Sequence, residues 1–284
     1  MIPISIITIN YNNRDGLKRT IDSIINQTCK DFEWIVIDGG SNDGGKDLLE
    51  QHDSHITYWV SEPDKGIYDA MNKGIQKANG EYCLFMNSGD CFYSSDVIKK
   101  ILDNEGFGQY DIMTGYTYVS KGQKKIGIWT PPQEITGKLL FKNTLSHSAS
   151  IIRTKHLKEH GGYDSNYKIA SDVKFFYEDL VLRNATYKPM NFYISNFDFT
   201  GISIKNVALA SNERDVFLKH LLPTAIYNDY KRMCYGETTL EKLLCKTEEN
   251  SFFYKWMTLL AVISYAPISL KNRIVLHLKK LFSK

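Results

Sequence analysis

The sequence predicts an α/β chain, with a mostly parallel central sheet flanked by helices and a helical C-terminal extension. Three observations carry that reading. Short apolar runs alternate with segments at helical spacing through the first half, and strands alternating with helices imply a largely parallel sheet. Acidic, Gly-containing loops close two of the runs, at residues 38–45 and 87–90, the position at which open α/β sheets bind ligands. Finally, 284 residues with 43% hydrophobic content suffice for one sizeable domain plus an appendage, assigned here to 1–205 and 206–284.

The elements follow in order. Residues 4–9 (Ile-Ser-Ile-Ile-Thr-Ile) read as the first strand, and Leu17, Ile21, Ile24 and Ile25 then mark one face of a helix. A second strand spans 32–37 and Asp38 closes it, followed by the loop Gly39, Gly40, Ser41, Asn42, Asp43, Gly44, Gly45. A short helix and a strand at 56–60 come next. Pro63, Asp64, Lys65 and Gly66 form a loop before a helix carrying Ile67, Ala70, Met71, Gly74, Ile75 and Ala78 at helical spacing. The strand at 82–86 ends in Asn87, Ser88, Gly89 and Asp90, so Asp90 is expected just past a strand's carboxyl end. Later signals are sparser: a strand at 112–119, a break at Pro131-Pro132 and a helix from 172 to about 184, with no internal repeat.

Thirty-five Lys+Arg against 32 Asp+Glu give a net charge of +3, too mild to make nucleic acid the main partner. The surplus is C-terminal: no acid follows Glu249, while Lys255, Lys271, Arg273, Lys279, Lys280 and Lys284 do. Five cysteines (Cys29, Cys83, Cys91, Cys234, Cys245), with no pair at zinc-knuckle spacing, indicate neither a disulfide framework nor a structural zinc, and suit a reducing cytosol. The opening strand, without a basic leader or small-residue cleavage site, predicts a cytoplasmic protein.

Together these residues resemble the family 2 glycosyltransferases, inverting enzymes with the Rossmann-like, nucleotide-sugar-binding GT-A fold. Ser5, Ile6, Ile7, Thr8 with Asn10, Tyr11, Asn12 are similar to that family's first strand and loop, and residues 35–44 to its base-binding loop. The run 64–75, with Gly80, Glu81 and 87–90, resembles a bacterial polysaccharide-assembly subset. The likeness covers about 3–203.

The resemblance implies a nucleotide-sugar donor, a UDP-sugar by frequency within the family, and a glycan or lipid-linked acceptor. It places Thr8, Asn10, Asp38, Asp64, Lys65, Asp69, Asn72 and Ser88 around the donor, with Asp38 accepting from base or ribose. A helix N-terminus behind Asp64 and Lys65 points N–H groups at phosphate. Asp90 matches the last acid of the family's metal motif, for Mn²⁺ or Mg²⁺, although Asn87 and Gly89 stand where many relatives carry acids. Gly161, Gly162, Tyr163, Asp164 and Ala170, Ser171, Asp172 resemble the second signature, which makes Asp172 the general base, with Ser171 as helix cap. His147 falls where relatives shape the acceptor pocket; Trp129, Phe199 and Gly201 border the sugar or fill core.

Each acid also has a bland reading: an Asx turn for Asp38, a turn cap for Asp90, dipole compensation for Asp69 and Asp172. Two further functions stay open, a non-catalytic nucleotide-sugar binder and a nucleotidyltransferase, the latter disfavoured by a first loop (Asn10 to Arg14) lacking glycine. In the tail, 256–270 is apolar but too short to span a bilayer and holds Pro267. Leu270, Ile274, Leu278 and Leu281 then share a helical face opposite the basic residues. That pattern fits peripheral contact with the inner membrane face, or packing on the catalytic domain or on a second subunit of a homodimer.

Overall fold

The computed structural model describes residues 2–122, 124–199 and 201–236. The chain divides into two compact units, Met1–Leu222 and Pro223–Lys284. The first runs β1 (Ile4–Asn10), α1 (Arg14–Ile25), β2 (Phe32–Asp38), α2 (Gly45–Gln51), β3 (Tyr58–Ser61), α3 (Ile67–Lys77), β4 (Tyr82–Phe85), β5 (Cys91–Phe92), α4 (Val97–Leu102), β6 (Ile112–Lys121), β7 (Lys124–Trp129), α5 (Gly137–Lys142), β8 (Ser150–Arg153), α6 (Thr154–Glu159), α7 (Ser171–Tyr177), β9 (Tyr187–Asp198), α8 (Ile202–Lys205) and α9 (Val207–Leu221). In the second, the described residues form α10 (Thr224–Tyr235). The amphipathic tail and Cys245 lie outside the described residues.

One sheet of order β3-β2-β1-β4-β8-β6-β9-β5 carries the fold, with β7 paired to β6. β3, β2, β1 and β4 are parallel, β8 runs against β4 and β6, and β9 lies parallel to β6. β5 and β7 also run against their partners. The parallel half reads as continuous apolar runs because both faces are covered: Ile4, Ile6, Ile7, Val36, Leu84 and Phe85 are all fully buried. Leu17, Ile21 and Ile24 of α1 pack into one core cluster with Ile6, Trp34, Leu84 and Ile151. On α3, Gly74 lets the helix close on β1, since a Cβ there would meet Ile7 at 2.5 Å.

Two boundaries differ from the sequence reading. The strand expected at 56–60 starts at Tyr58, because Ile56 ends a helical turn in which its N–H bonds Asp53 O. The helix expected from 172 begins at Ser171 with Ala170 as cap, so Ser171 is not the cap residue, and its buried hydroxyl has no partner. After Tyr177 this helix widens into a π-helical turn, Glu178–Leu182, and ends before Asn184 at φ 57°. No helix among the described residues is long and apolar enough to cross a membrane.

Candidate active site

β1 and β2 end side by side, with Asn10 in register with Asp38. Asp38 is fully buried, and four donors converge on it. Oδ1 accepts from Asn10 Nδ2 (2.7 Å) and Ser41 Oγ (2.6 Å), and Oδ2 from Ser41 N (2.9 Å) and Ser61 Oγ (2.6 Å). Burial pushes this carboxyl up, but the bonds from Ser41, Ser61 and Asn10 outweigh it and hold it below the ordinary range. Four donors use about all the lone-pair sites a carboxylate has. In this arrangement Asp38 uses its oxygens on Asn10, Ser41 and Ser61 and so holds the loop after β2. The adjacent amide is different: a carboxylate cannot donate, so Asn10 must turn its nitrogen to Asp38, and its buried Oδ1 has no partner.

Thr8 lies inside the sheet layer, fully buried, its hydroxyl accepting from Trp34 Nε1 at 3.0 Å. Ser88 pins the loops, donating through Oγ to Asn13 O (3.2 Å) and accepting from Asn13 Nδ2 at its carbonyl (2.9 Å). Asp64 sits against Gly39, where a Cβ would meet its Oδ2 at 2.4 Å and the Tyr11 ring at 3.1 Å. The Tyr11 ring, 67% exposed at the end of β1, is a candidate platform for the base that the sequence reading quoted without a role. Asp69 accepts from Lys65 N (3.0 Å) and pairs with Lys73, itself bonded to Glu62, so it orders the loop where Lys65 is exposed. Asn72 spends both ends on Tyr163, donating to its carbonyl (2.7 Å) and accepting from its N–H (2.8 Å). The clamp needs glycine at 162: φ is +73°, and a Cβ would meet Asn72 Oδ1 at 2.3 Å.

Asp90 stands in the loop after β4, also buried, but among the described residues its carboxylate accepts only a long 3.4 Å bond, from Asp198 N. Burial, reinforced by the nearby Asp198 carboxylate, pushes it up to about 7. Asp198 closes β9, and Arg19 meets it at 3.0 Å. This pairing is not legible from the residues alone, because 90 and 198 are brought together across β5 and β9. Two hard carboxylate oxygens, one of them under-bonded, fit a divalent cation such as Mn²⁺ or Mg²⁺.

Asp172 lies in the first turn of α7, where Tyr68, from the start of α3, donates to its Oδ1 at 2.6 Å. Burial and the charge of Asp172 raise Tyr68 well above the phenol range, so it stays a donor. Beneath lies an aromatic floor: His147 stacks on Phe85 at 4.6 Å and shares a 2.8 Å hydrogen bond between Nε2 and the Tyr163 hydroxyl. Burial lowers His147, against the pull of Asp172, keeping the imidazole neutral. A second unforeseen residue is Glu213 of α9. Its carboxylate accepts from the N–H groups of Lys168 (2.8 Å), Ile169 (3.0 Å) and Ala170 (3.0 Å), fixing the approach to Asp172.

A family model described as glycosyl transferase family 2 matches residues 5–161. An uncharacterized glycosyltransferase of Mycobacterium tuberculosis is 32% identical over 237 residues, covering 81% of this chain and 82% of the relative. A PGL/p-HBAD biosynthesis glycosyltransferase of Mycobacterium bovis is 29% identical over 175 residues, 60% of this chain and 67% of its own. Among solved structures, S. aureus TarS 1-349 in complex with UDP-GlcNAc superposes with a TM-score of 0.62 at 17% identity, over 80% of this chain and 70% of that one. A mannosyltransferase from Pyrobaculum calidifontis in complex with GDP-Man and Mn²⁺ gives 0.57 at 13% identity, over 98% and 80%. At these identities the two structures bear on the fold, which is GT-A-like.

Proposed function

This chain belongs to glycosyl transferase family 2, and from that premise we propose that it is an inverting enzyme moving one sugar from a UDP-sugar to a glycan or lipid-linked acceptor in polysaccharide assembly. The carrying observation is the 2.6 Å bond from Tyr68 to Asp172. It ties the second signature to the helix that opens behind Asp64 and Lys65. The UDP-GlcNAc complex of TarS and the names of the curated relatives support the substrate classes.

Tyr68 occupies Oδ1 of Asp172 and leaves Oδ2 for the acceptor hydroxyl. In the displacement the acceptor oxygen bonds the anomeric carbon, its proton passes to Oδ2, and the anomeric C–O bond to the diphosphate breaks with its electron pair on the leaving group. Asp90 and Asp198 would hold the divalent cation. When bound, that cation supplies Lewis-acid charge opposite the leaving diphosphate. Asn10 Oδ1 would accept from the base and Tyr11 stack on it. For the acceptor, a cavity of about 580 Å³ between β7, α5 and residues 143–146 offers Trp129, Lys142, Ser146 and Arg214.

Asp172→Asn tests the reading. Donor binding should be kept, while transfer falls by roughly 10²-fold or more, since the amide cannot take the proton. A thermal-shift screen of UDP-, GDP-, dTDP- and CDP-sugars with and without Mn²⁺ identifies the donor, and an axial-to-equatorial change at the anomeric centre, read by NMR, establishes inversion. Unchanged turnover in the variant removes Asp172 from the mechanism.

A further inference from the structure

We propose that His156, His160 and Asp179 form a zinc site, separate from the Asp90 loop, that ties α6 to the π-helical turn after α7. The two histidines stand four residues apart, His156 within α6 and His160 as the residue that caps it, with His160 N–H bonded to His156 O. The turn Glu178–Leu182 brings Asp179 against them, fully buried. One ligand atom from each of the three residues lies within 4.8 Å of the others.

Hydrogen bonding satisfies only part of the cluster: His156 Nδ1 and Asp179 Oδ2 share a 3.0 Å hydrogen bond, while the second pair makes none. His160 Nδ1 and Asp179 Oδ1 are 2.8 Å apart, yet both atoms are buried and neither makes a hydrogen bond. A buried carboxylate oxygen facing an imidazole nitrogen without a bond is costly unless a cation joins them. Arg183 approaches that oxygen only to 3.7 Å.

His156 reinforces the case. Its Nδ1 lies 3.0 Å from Asp179 Oδ2 and its Nε2 lies 3.1 Å from Asp111 Oδ1. An imidazole between two carboxylates satisfies both in only two ways, as the imidazolium or with a metal on one nitrogen and a proton on the other. Asp111 is fixed to receive that proton, accepting from Thr186 N (2.8 Å) and Oγ1 (2.6 Å) with Arg153 Nε at 3.5 Å. A carboxylate that orients a metal-bound histidine through its far nitrogen is the usual outer shell of zinc sites. Two imidazoles and one carboxylate form a borderline donor set that favours Zn²⁺ over Mg²⁺ or Mn²⁺, with water as fourth ligand. Arms of about 2.0–2.2 Å need ligand pairs about 3.3 Å apart, so the 2.8 and 3.0 Å contacts, made to different oxygens of Asp179, would open by a few tenths of an ångström while the wider separations, up to 4.8 Å, would close. No cysteine takes part, which reconciles this site with a cysteine pattern that signals no zinc.

The test uses the full-length protein, stripped with chelator, dialysed against Zn²⁺ and assayed by elemental mass spectrometry, with Co²⁺ substitution to read coordination by visible absorption. One tightly held equivalent is expected, with the intense bands of four-coordinate Co²⁺. His160→Gln and Asp179→Asn should each lose it, while Asp90→Asn keeps it. Asp179 is buried, so its variant is checked by circular dichroism; His160, at 23% side-chain exposure, supplies the second variant. A stripped protein that takes up no zinc, or a His160→Gln protein that holds as much as wild type, overturns the proposal.

Discussion

Asp38 and Asp90 are both buried aspartates at the carboxyl edge of the parallel strands, one closing β2 and one in the loop after β4, yet their surroundings drive them in opposite directions. Four donors meet Asp38 and hold it ionised. Asp90 has one long bond and a second acid beside it, and is pushed up to about 7. Desolvation acts on both: at Asp38 the converging donors outweigh it, and at Asp90, with one long bond, it prevails. A carboxylate satisfied from within shapes a loop, whereas one left short has the capacity to hold a cation.

Substitution should separate the two most sharply at Asp90. Asp90→Asn is expected to lower transfer by roughly 10²- to 10³-fold, the several kcal/mol a Lewis acid supplies, and to abolish the Mn²⁺ response while the melting temperature of the metal-free protein holds or rises. A variant that keeps its Mn²⁺ response would put Asp90 in the same class as Asp38.

Asp38→Asn should do the reverse. Its amide faces donors with a donor, at a cost of about 1–3 kcal/mol of stability, seen as an earlier thermal transition with the Mn²⁺ response retained. If stability is unchanged, the four-donor network does not hold the loop.

Glu213 extends the comparison, as a satisfied acid that acts at a distance. Glu213→Gln keeps one acceptor oxygen of two, so kcat should fall by about tenfold with the donor KM unchanged, and Glu213→Ala should fall further. Equal loss in both parameters would mean that the 168–170 segment serves donor binding instead.

The smallest effect is in pH. Protonated Asp90 competes with the cation, so Mn²⁺ affinity should rise roughly fivefold from pH 6 to 7 and less than twofold from 7 to 8. The sign for stability is opposite. With a folded-state value above the unfolded one, the metal-free native state binds the extra proton, and Asp90's contribution is lost as pH climbs from the carboxylate range toward about 7. Asp90→Asn should flatten both profiles; a profile that persists in the variant assigns it to another group.

Much of this was legible in the residues alone. Apolar runs at 4–9, 32–37 and 82–86, with helical spacing between them, determined the parallel half, because a strand buried on both faces needs apolar residues throughout. Loop glycines and acids marked the strand ends, and the 64–75 run lies inside the 5–161 stretch that carries the family. The antiparallel half was less readable, since β5, β7 and β9 are short, half-exposed or mixed in pattern. What a sequence cannot show is which side chains spend their polar atoms on one another. Asp38 and Asp90 look alike as letters in Gly-containing loops, and only tertiary structure brings Ser41 and Ser61 to one and Asp198 to the other. The same holds for Asn72, used up on Tyr163, for Glu213, reaching back more than forty residues to the Asp172 loop, and for His156 and His160, unremarkable until the π turn sets Asp179 between them. Local pattern specifies burial and backbone; long-range pairing decides which charge is satisfied, and with it the chemistry.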